Sequence, residues 1–336
     1  MLSPTNFTRS ANHNISSQTR SLHYTNCGSL LLSAHENGNL HTISTSTGQI
    51  SKTIKLSNNG IRAMVPTHDP LSFLSSSLHT NFDVNYVSAY DNRYLRKFHG
   101  HIKPVTAISM NPTDDTFVTS SEDGTVLLFD LRSAHPTSKL ALPGYAGNPV
   151  ASFDKSGYVF GCMASSGETH EMKMYDPKAA DAPFETFTTT NSNISDYIRA
   201  NNVNDFNTED INYMINGEWV DLKFSESGNH VLIQNKKGLL ILMDAFTGAI
   251  TGAITQSVKH FKNQRTRANL GMAMARDDIV VFGTETGKVV WVKMTGESVN
   301  EVSGHGGTVS ALGVNGVFSA VASGCHEYVS VHLPKR

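Results

Sequence analysis

Apolar and polar positions alternate along the chain in short β-rich runs. Each run is bounded by Gly, Asn, Asp or Ser, and long segments with apolar residues three and four apart are missing. Pairs of runs joined by a polar turn recur seven times: GSLLLSAHENGNLHTIST, FDVNYVSAYDNRYLRKF, DTFVTSSEDGTVLLFDLRS, GYVFGCMASSGETHEMKMYDP, NHVLIQNKKGLLILMDAFTG, DIVVFGTETGKVVWVKMTG and GVFSAVASGCHEYVSVHL. Several are preceded by another short strand, as in VTAISMNP, VASFDKSG, WVDLKFSESG and VSALGVNG. The pattern predicts an all-β chain.

The preceding strand supplies a ruler. Gly157 and Gly228 end equivalent turns 71 residues apart. Between them the Asn- and Thr-rich stretch from Thr188 to Tyr213 breaks the pattern. Without its 26 residues the spacing is about 45, close to the length of a four-stranded propeller blade. Gly100-His101 and Gly304-His305 stand four such units apart once the stretch is removed. The expectation is therefore a seven-bladed β-propeller, one domain over residues 1–336, with an N-terminal tail over about 1–17 and an inserted loop over about 188–213. An N-terminal strand between Phe7 and Ser17 would complete the last blade, since a closed ring removes free sheet edges. The second blade, roughly Asn59 to Phe98, is the most weakly marked.

Charge and cysteine content narrow the classes. The net charge is -2, from 27 basic and 29 acidic residues, which disfavours direct binding to nucleic acid or an anionic membrane. Cys27, Cys162 and Cys325 are odd in number and far apart, without zinc-type spacing, and suit a reducing compartment. The first residues lack the apolar core of a signal peptide, and GLLILM (238–243) is far shorter than a membrane span.

The most specific constellation is Gly100-His101, then Asp123, then Phe129-Asp130. In a WD repeat the His, a strand Ser or Thr, the turn Asp and a Trp form a buried hydrogen-bonded set. Thr119 and Ser121 are the hydroxyl candidates, and Phe129 stands at the Trp position. Without an indole N–H, Asp123 is expected to lean on His101 and on the turn amides of Gly124 and Thr125. The composition resembles a Ser-His-Asp catalytic group, but neither a nucleophile elbow nor an oxyanion hole is recognisable, so the structural role is favoured. GTETGKVVW (283–291) fails as a phosphate loop, because the glycine spacing is short and Val289 occupies the magnesium-ligand position. The 15 histidines show no paired metal-ligand spacing. Asp205, Glu209 and Asp210 in the insertion read as solvated. No catalytic residue, cofactor or metal site is expected.

Trp219 opens an innermost strand, where it either anchors a partner peptide at the rim of the central channel or packs between blades. Arg62, Lys103 and Glu218 take comparable loop positions on other blades.

These segments resemble the WD-repeat protein 82 family, the WD-repeat subunit of the COMPASS histone methyltransferase, also found with mRNA 3′-end processing and nuclear protein phosphatase one. The resemblance rests on NPTDDTFVTSSEDGTVLLFDLRS (111–133), FDVNYVSAYDNRYLRKFHGH (82–101), PVASFDKSGYVFG (149–161), MKMYDPKAADAPFETF (172–187), EWVDLKFSESG (218–228) and DAFTG (244–248), in order over roughly residues 60–255. PFETF and DAFTG are not repeat consensus. Departures are Phe129 in place of Trp, drift in the last two blades and the longer insertion. The resemblance implies a seven-bladed WD40 propeller acting as a nuclear, non-catalytic adaptor without a cofactor. Implied partners are a SET-domain methyltransferase subunit, a cleavage/polyadenylation factor or a phosphatase-targeting scaffold. It also implies recognition of the phosphorylated C-terminal tail of RNA polymerase II, for which Arg93, Arg96, Lys97 and Lys103 form the nearest basic group. The alternative is a cytosolic WD-repeat adaptor in a ubiquitin ligase or trafficking complex.

Overall fold

A computed structural model describes residues 7–56, 59–79, 82–142, 147–201, 207–254, 270–275, 279–294, 297–317 and 319–334. Among them the chain forms seven four-stranded antiparallel sheets and two helices. The first strand is β1 (Phe7–Asn14). Blade one follows as β2 (Thr19–Tyr24), β3 (Leu30–His35), β4 (Asn39–Ser44) and β5 (Ile50–Lys55). Blade two is β6 (Ile61–Pro66), β7 (Ser72–Ser77), β8 (Val84–Ser88) and β9 (Arg93–Phe98). Blade three is β10 (Val105–Met110), β11 (Thr116–Ser121), β12 (Thr125–Asp130) and β13 (Ser138–Ala141). Blade four is β14 (Val150–Phe153), β15 (Phe160–Ser166), β16 (Thr169–Tyr175) and β17 (Glu185–Thr190). The helices α1 (Asn191–Asn201) and α2 (Thr208–Ile215) come next. Blade five is β18 (Trp219–Phe224), β19 (His230–Asn235), β20 (Leu240–Asp244) and β21 (Ile250–Ile254). Blade six is β22 (Met272–Ala275), β23 (Ile279–Gly283), β24 (Lys288–Lys293) and β25 (Ser298–Ser303). Blade seven is β26 (Ala311–Asn315), β27 (Ala320–Gly324) and β28 (Tyr328–Pro334), completed by β1, which pairs antiparallel with β28.

Burial explains why the strands read as they do. The second strand of each blade lies inside its sheet and between neighbouring blades, so both of its faces are covered. In β11 five consecutive residues are buried, and in β23 all five are. An outermost strand such as β5 is mostly exposed, with Ile54 as its buried anchor. Seven apolar clusters fill the seven blade junctions, so the core is a ring of interfaces. The innermost strands neighbour one another in turn around the central channel, from β2 through β26 and back to β2.

Antiparallel order divides the loops between two faces. Turns joining a blade's first to second strand, and its third to fourth, lie on what is here termed the lower face. Second-to-third turns and the connections between blades lie on the upper face. Gly157 and Gly228 close equivalent lower-face turns, each at φ +75°, where glycine carries no Cβ penalty.

Two expectations need correction. The hairpin read from 82–98 is the outer pair β8–β9 and not the middle pair. The middle strand β7, SFLSSS, hides its signal because buried Ser72, Ser75 and Ser76 supply polar letters at interior positions. The insertion read as a loop over 188–213 is not one. Residues 188–190 continue β17, pairing with Glu171, His170 and Thr169, and α1 and α2 follow. Ile194 and Ile198, four residues apart, and Ile211, Met214 and Ile215 turn into the apolar cluster between blades four and five. Each such side chain contributes about 1.5–3 kcal/mol when fully buried. A capping box starts α2: Asn207 Oδ1 accepts the Asp210 amide at 2.7 Å, and Asp210 Oδ2 accepts the Asn207 amide at 3.4 Å. Glu209 is exposed and Asp210 is part of this cap, while Asp205 lies outside the described residues.

Candidate partner-docking surface

The network around His101 is assembled by the connection entering blade three and by the β11–β12 turn. His101 Nδ1–H donates to Asp123 Oδ2 at 2.9 Å, and Thr119 donates its hydroxyl to His101 Nε2 at 2.8 Å. Asp123 Oδ2 also accepts the Ile102 amide at 3.0 Å, and its Oδ1 accepts the Thr125 amide at 2.9 Å and the Thr125 hydroxyl at 2.5 Å. Burial opposes the Asp123 carboxylate, but Thr125, the Ile102 amide and His101 hold its pKa below the ordinary range. Burial lowers the His101 pKa against the pull of Asp123, so the ring is neutral. The Gly124 amide bonds Ser121 O at 3.2 Å and not Asp123; the Ile102 amide takes the expected place. Ser121 stands apart from the His101 ring, donating to Lys103 O at 3.0 Å and accepting the Asp123 amide at 3.2 Å.

Phe129 is buried and stacked on Phe117, with ring centroids 5.1 Å apart, and Phe98 meets both rings edge-on. Apolar contact occupies the site of an indole hydrogen bond. Asp130, at the end of β12, pairs with exposed Arg132. Thr119 has no exposed surface, so a substrate cannot reach its hydroxyl. The His-Thr-Asp set has the geometry of a brace between the blade entry and a hairpin turn. Among the described residues no group of three or more His, Cys, Asp or Glu side chains is placed to hold a metal ion.

Trp219 is not a rim anchor. It is 3% exposed and belongs to the cluster between blades four and five. Its Nε1–H donates to His170 Nδ1 at 3.1 Å, and the rings meet edge-on. His170 Nε2–H in turn donates to Asn191 Oδ1 at 2.8 Å, and Asn191 Nδ2 donates to Asn216 Oδ1 at 3.1 Å. This chain of bonds fastens both ends of the helical insertion to the blade junction.

Arg62 and Glu218 lie on the upper face, but neither is free. Arg62 pairs with Glu122 of the next blade at 2.6 Å. Glu218 pairs with Lys236 and accepts the Asn148 amide at 3.3 Å. Arg20–Glu36 repeats the arrangement in blade one, between its innermost strand and its second-to-third turn. Lys103 is exposed between blades two and three.

The four basic residues Arg93, Arg96, Lys97 and Lys103 are not brought together. The first three lie on the outermost strand β9, away from the channel. Arg93 begins that strand at the lower face, pairing with Asp91, whereas Lys103 lies beyond its upper end. Strand rise alone separates the two ends by about 16 Å. Arg96 donates to Leu131 O at 2.6 Å, bracing blade two to blade three, and Lys97 lies over Tyr94.

What the sequence reading missed is an aromatic surface on the lower face of blades four and five. Tyr158, Phe184 and Phe246 are 71%, 60% and 73% exposed. Two of them sit in the PFETF and DAFTG segments, whose departure from repeat consensus was the available signal.

Comparison with known proteins agrees with this architecture. The WD domain, G-beta repeat family matches residues 92–130. The chain is 28% identical over 302 residues to WD repeat-containing protein 82 of Drosophila melanogaster, covering 89% of this chain and 85% of the relative. It is 29% identical to COMPASS component SWD2 of Saccharomyces cerevisiae, over 68% of this chain and 61% of the relative. It is 27% identical to Set1 complex component swd2 of Schizosaccharomyces pombe, over 71% and 60%. The matches thus span less than two thirds of the two yeast relatives. The resemblance to the WD-repeat protein 82 family is borne out, as is the seven-bladed WD40 propeller.

Proposed function

We propose that this WD-repeat propeller, similar to WD repeat-containing protein 82, is a non-catalytic docking subunit of a Set1/COMPASS-type histone methyltransferase complex, acting in the nucleus. The carrying observation is the similarity over 89% of the chain to WD repeat-containing protein 82, joined by two yeast relatives named for COMPASS and Set1 complexes. The geometry supports the same reading. The one His-hydroxyl-Asp set singled out from the sequence is buried and satisfied, while the exposed aromatic side chains are of the kind that enters protein interfaces. The partner is a SET-domain methyltransferase subunit. No direct nucleic-acid or membrane contact is part of this reading, in keeping with the net charge of -2.

Affinity purification of the tagged full chain from its own cells, read by mass spectrometry, tests the proposal. The expected product is a SET-domain methyltransferase with its companion subunits. Recovery of cleavage/polyadenylation factors or a phosphatase scaffold alone would move the chain to another nuclear assembly. Recovery of ubiquitin-ligase or coat proteins with a cytoplasmic signal would replace the proposal with the cytosolic alternative.

A further inference from the structure

We infer that the lower face of blades four and five docks an extended, basic segment of a partner chain, with Tyr158, Phe184 and Phe246 receiving its apolar side chains. Two segments from different blades form a seam there. Gly248, at φ +68°, sits so close to Phe187 of β17 that a Cβ would lie 2.4 Å from its ring. The β20–β21 turn therefore rests on the outer strand of blade four, and Phe184 and Phe246 stand three and two residues along the chain from that contact.

Each exposed aromatic rides on a fixed backbone. Asp244 Oδ1 accepts the amides of Phe246 and Thr247 at 3.0 and 2.8 Å, and the Thr247 hydroxyl at 2.9 Å. The Phe184 amide donates to Met174 O at 3.0 Å. Next to Tyr158, Asp154 Oδ1 accepts the amides of Gly157 and Val159 at 2.9 and 3.2 Å, and Gly157 O accepts Asn111 Nδ2 at 3.1 Å from blade three. Large aromatics held in place on such turns lose little freedom when covered, which is how interface anchors gain their effect.

Register gives the spacing. Phe160 pairs with Tyr175, and Met174 with Glu185, so Tyr158 and Phe184 leave the blade at strands two apart. That is about 10 Å, the span of three residues in an extended peptide. Charge gives the chemistry. Asp176, Asp181 and Glu185 at the β16–β17 turn and Glu226 in the β18–β19 turn lie on the same lower face, exposed and outside the ion pairs of the described residues, against Lys155 and Lys178. The excess of carboxylates favours Lys or Arg between the apolar anchors.

The inference rests on the docking role proposed above and fails separately from it. A phage-displayed dodecapeptide library is selected on the full chain, and the enriched peptides are synthesised and titrated by fluorescence anisotropy. Enriched sequences are expected to space apolar residues with Lys or Arg. Affinity should fall about tenfold or more in Phe184→Ala/Phe246→Ala and in Asp181→Lys/Glu185→Lys, with the circular-dichroism melts unchanged because all four side chains are exposed. Acidic or absent enrichment, affinity kept within about twofold by the double alanine variant, or a seam that instead pairs two copies of this chain would overturn it. If the double alanine variant still captures the methyltransferase from cells, the seam is wrong and the assembly stands. If wild type captures none, the assembly is wrong, and the peptide titration judges the seam alone.

Discussion

At the scale of residues, buried histidines act as neutral joints. His35 has no exposed surface; its Nε2 lies 2.8 Å from the Ser33 hydroxyl and its Nδ1 3.5 Å from Thr19. Burial, with a smaller contribution from His41, pulls its pKa down to about 3. His170 and His101 are lowered in the same direction, again chiefly by burial. Their neutral forms are the folded forms, so the unfolded chain binds protons that the folded chain refuses. Stability from these groups is fully present above about pH 6.5 and is lost as pH falls toward the folded pKa. The melting temperature should therefore drop steadily between about pH 6.5 and 4, and His35→Gln should flatten that slope while lowering the melting temperature at pH 7. A melting temperature constant across the window would contradict the neutral assignment. These joints were only half legible in the sequence. The His101–Asp123 brace follows repeat spacing, whereas the His170–Trp219 bond spans 49 residues and the Arg62–Glu122 pair 60, and neither leaves a local trace.

At the scale of elements, strands and turns were legible because each sheet repeats one pattern of apolar run and polar turn. The helical insertion was not, because its two helices are short, α1 carries three Asn residues among its 11, and the stretch opens on the three Thr residues that end β17. Ile194 and Ile198 on α1, with the Asn207–Asp210 cap and the Ile211–Met214–Ile215 spacing on α2, were the signals within it. Short helices of this kind owe their stability to packing more than to propensity. Ile198 and Met214 are both fully buried in the blade-junction cluster. Ile198→Ala or Met214→Ala should each cost about 2–5 kcal/mol in chemical denaturation, as core truncations do. A loss below about 0.5 kcal/mol, the level of an ordinary surface substitution, would show that the insertion is not part of the core. The basic residues of β9 illustrate the converse limit. Their proximity in sequence suggested one anion site, but a strand carries successive residues from one face of the ring to the other.

At the scale of the whole molecule, closure of the ring by β1 on β28 leaves a rigid disc with two unlike faces. The upper face carries the Arg62–Glu122 pair between blades two and three and the Glu218–Lys236 pair within blade five, and the lower face of blades four and five carries exposed aromatics with carboxylates outside the ion pairs of the described residues. Cross-linking mass spectrometry of the affinity-purified assembly tests this most directly, because exposed lysines report the two faces separately. The account predicts cross-links from Lys155 and Lys178 to a SET-domain methyltransferase subunit. An assembly without a methyltransferase, or one whose methyltransferase cross-links only to Lys103 and Lys236 on the upper face, would contradict it.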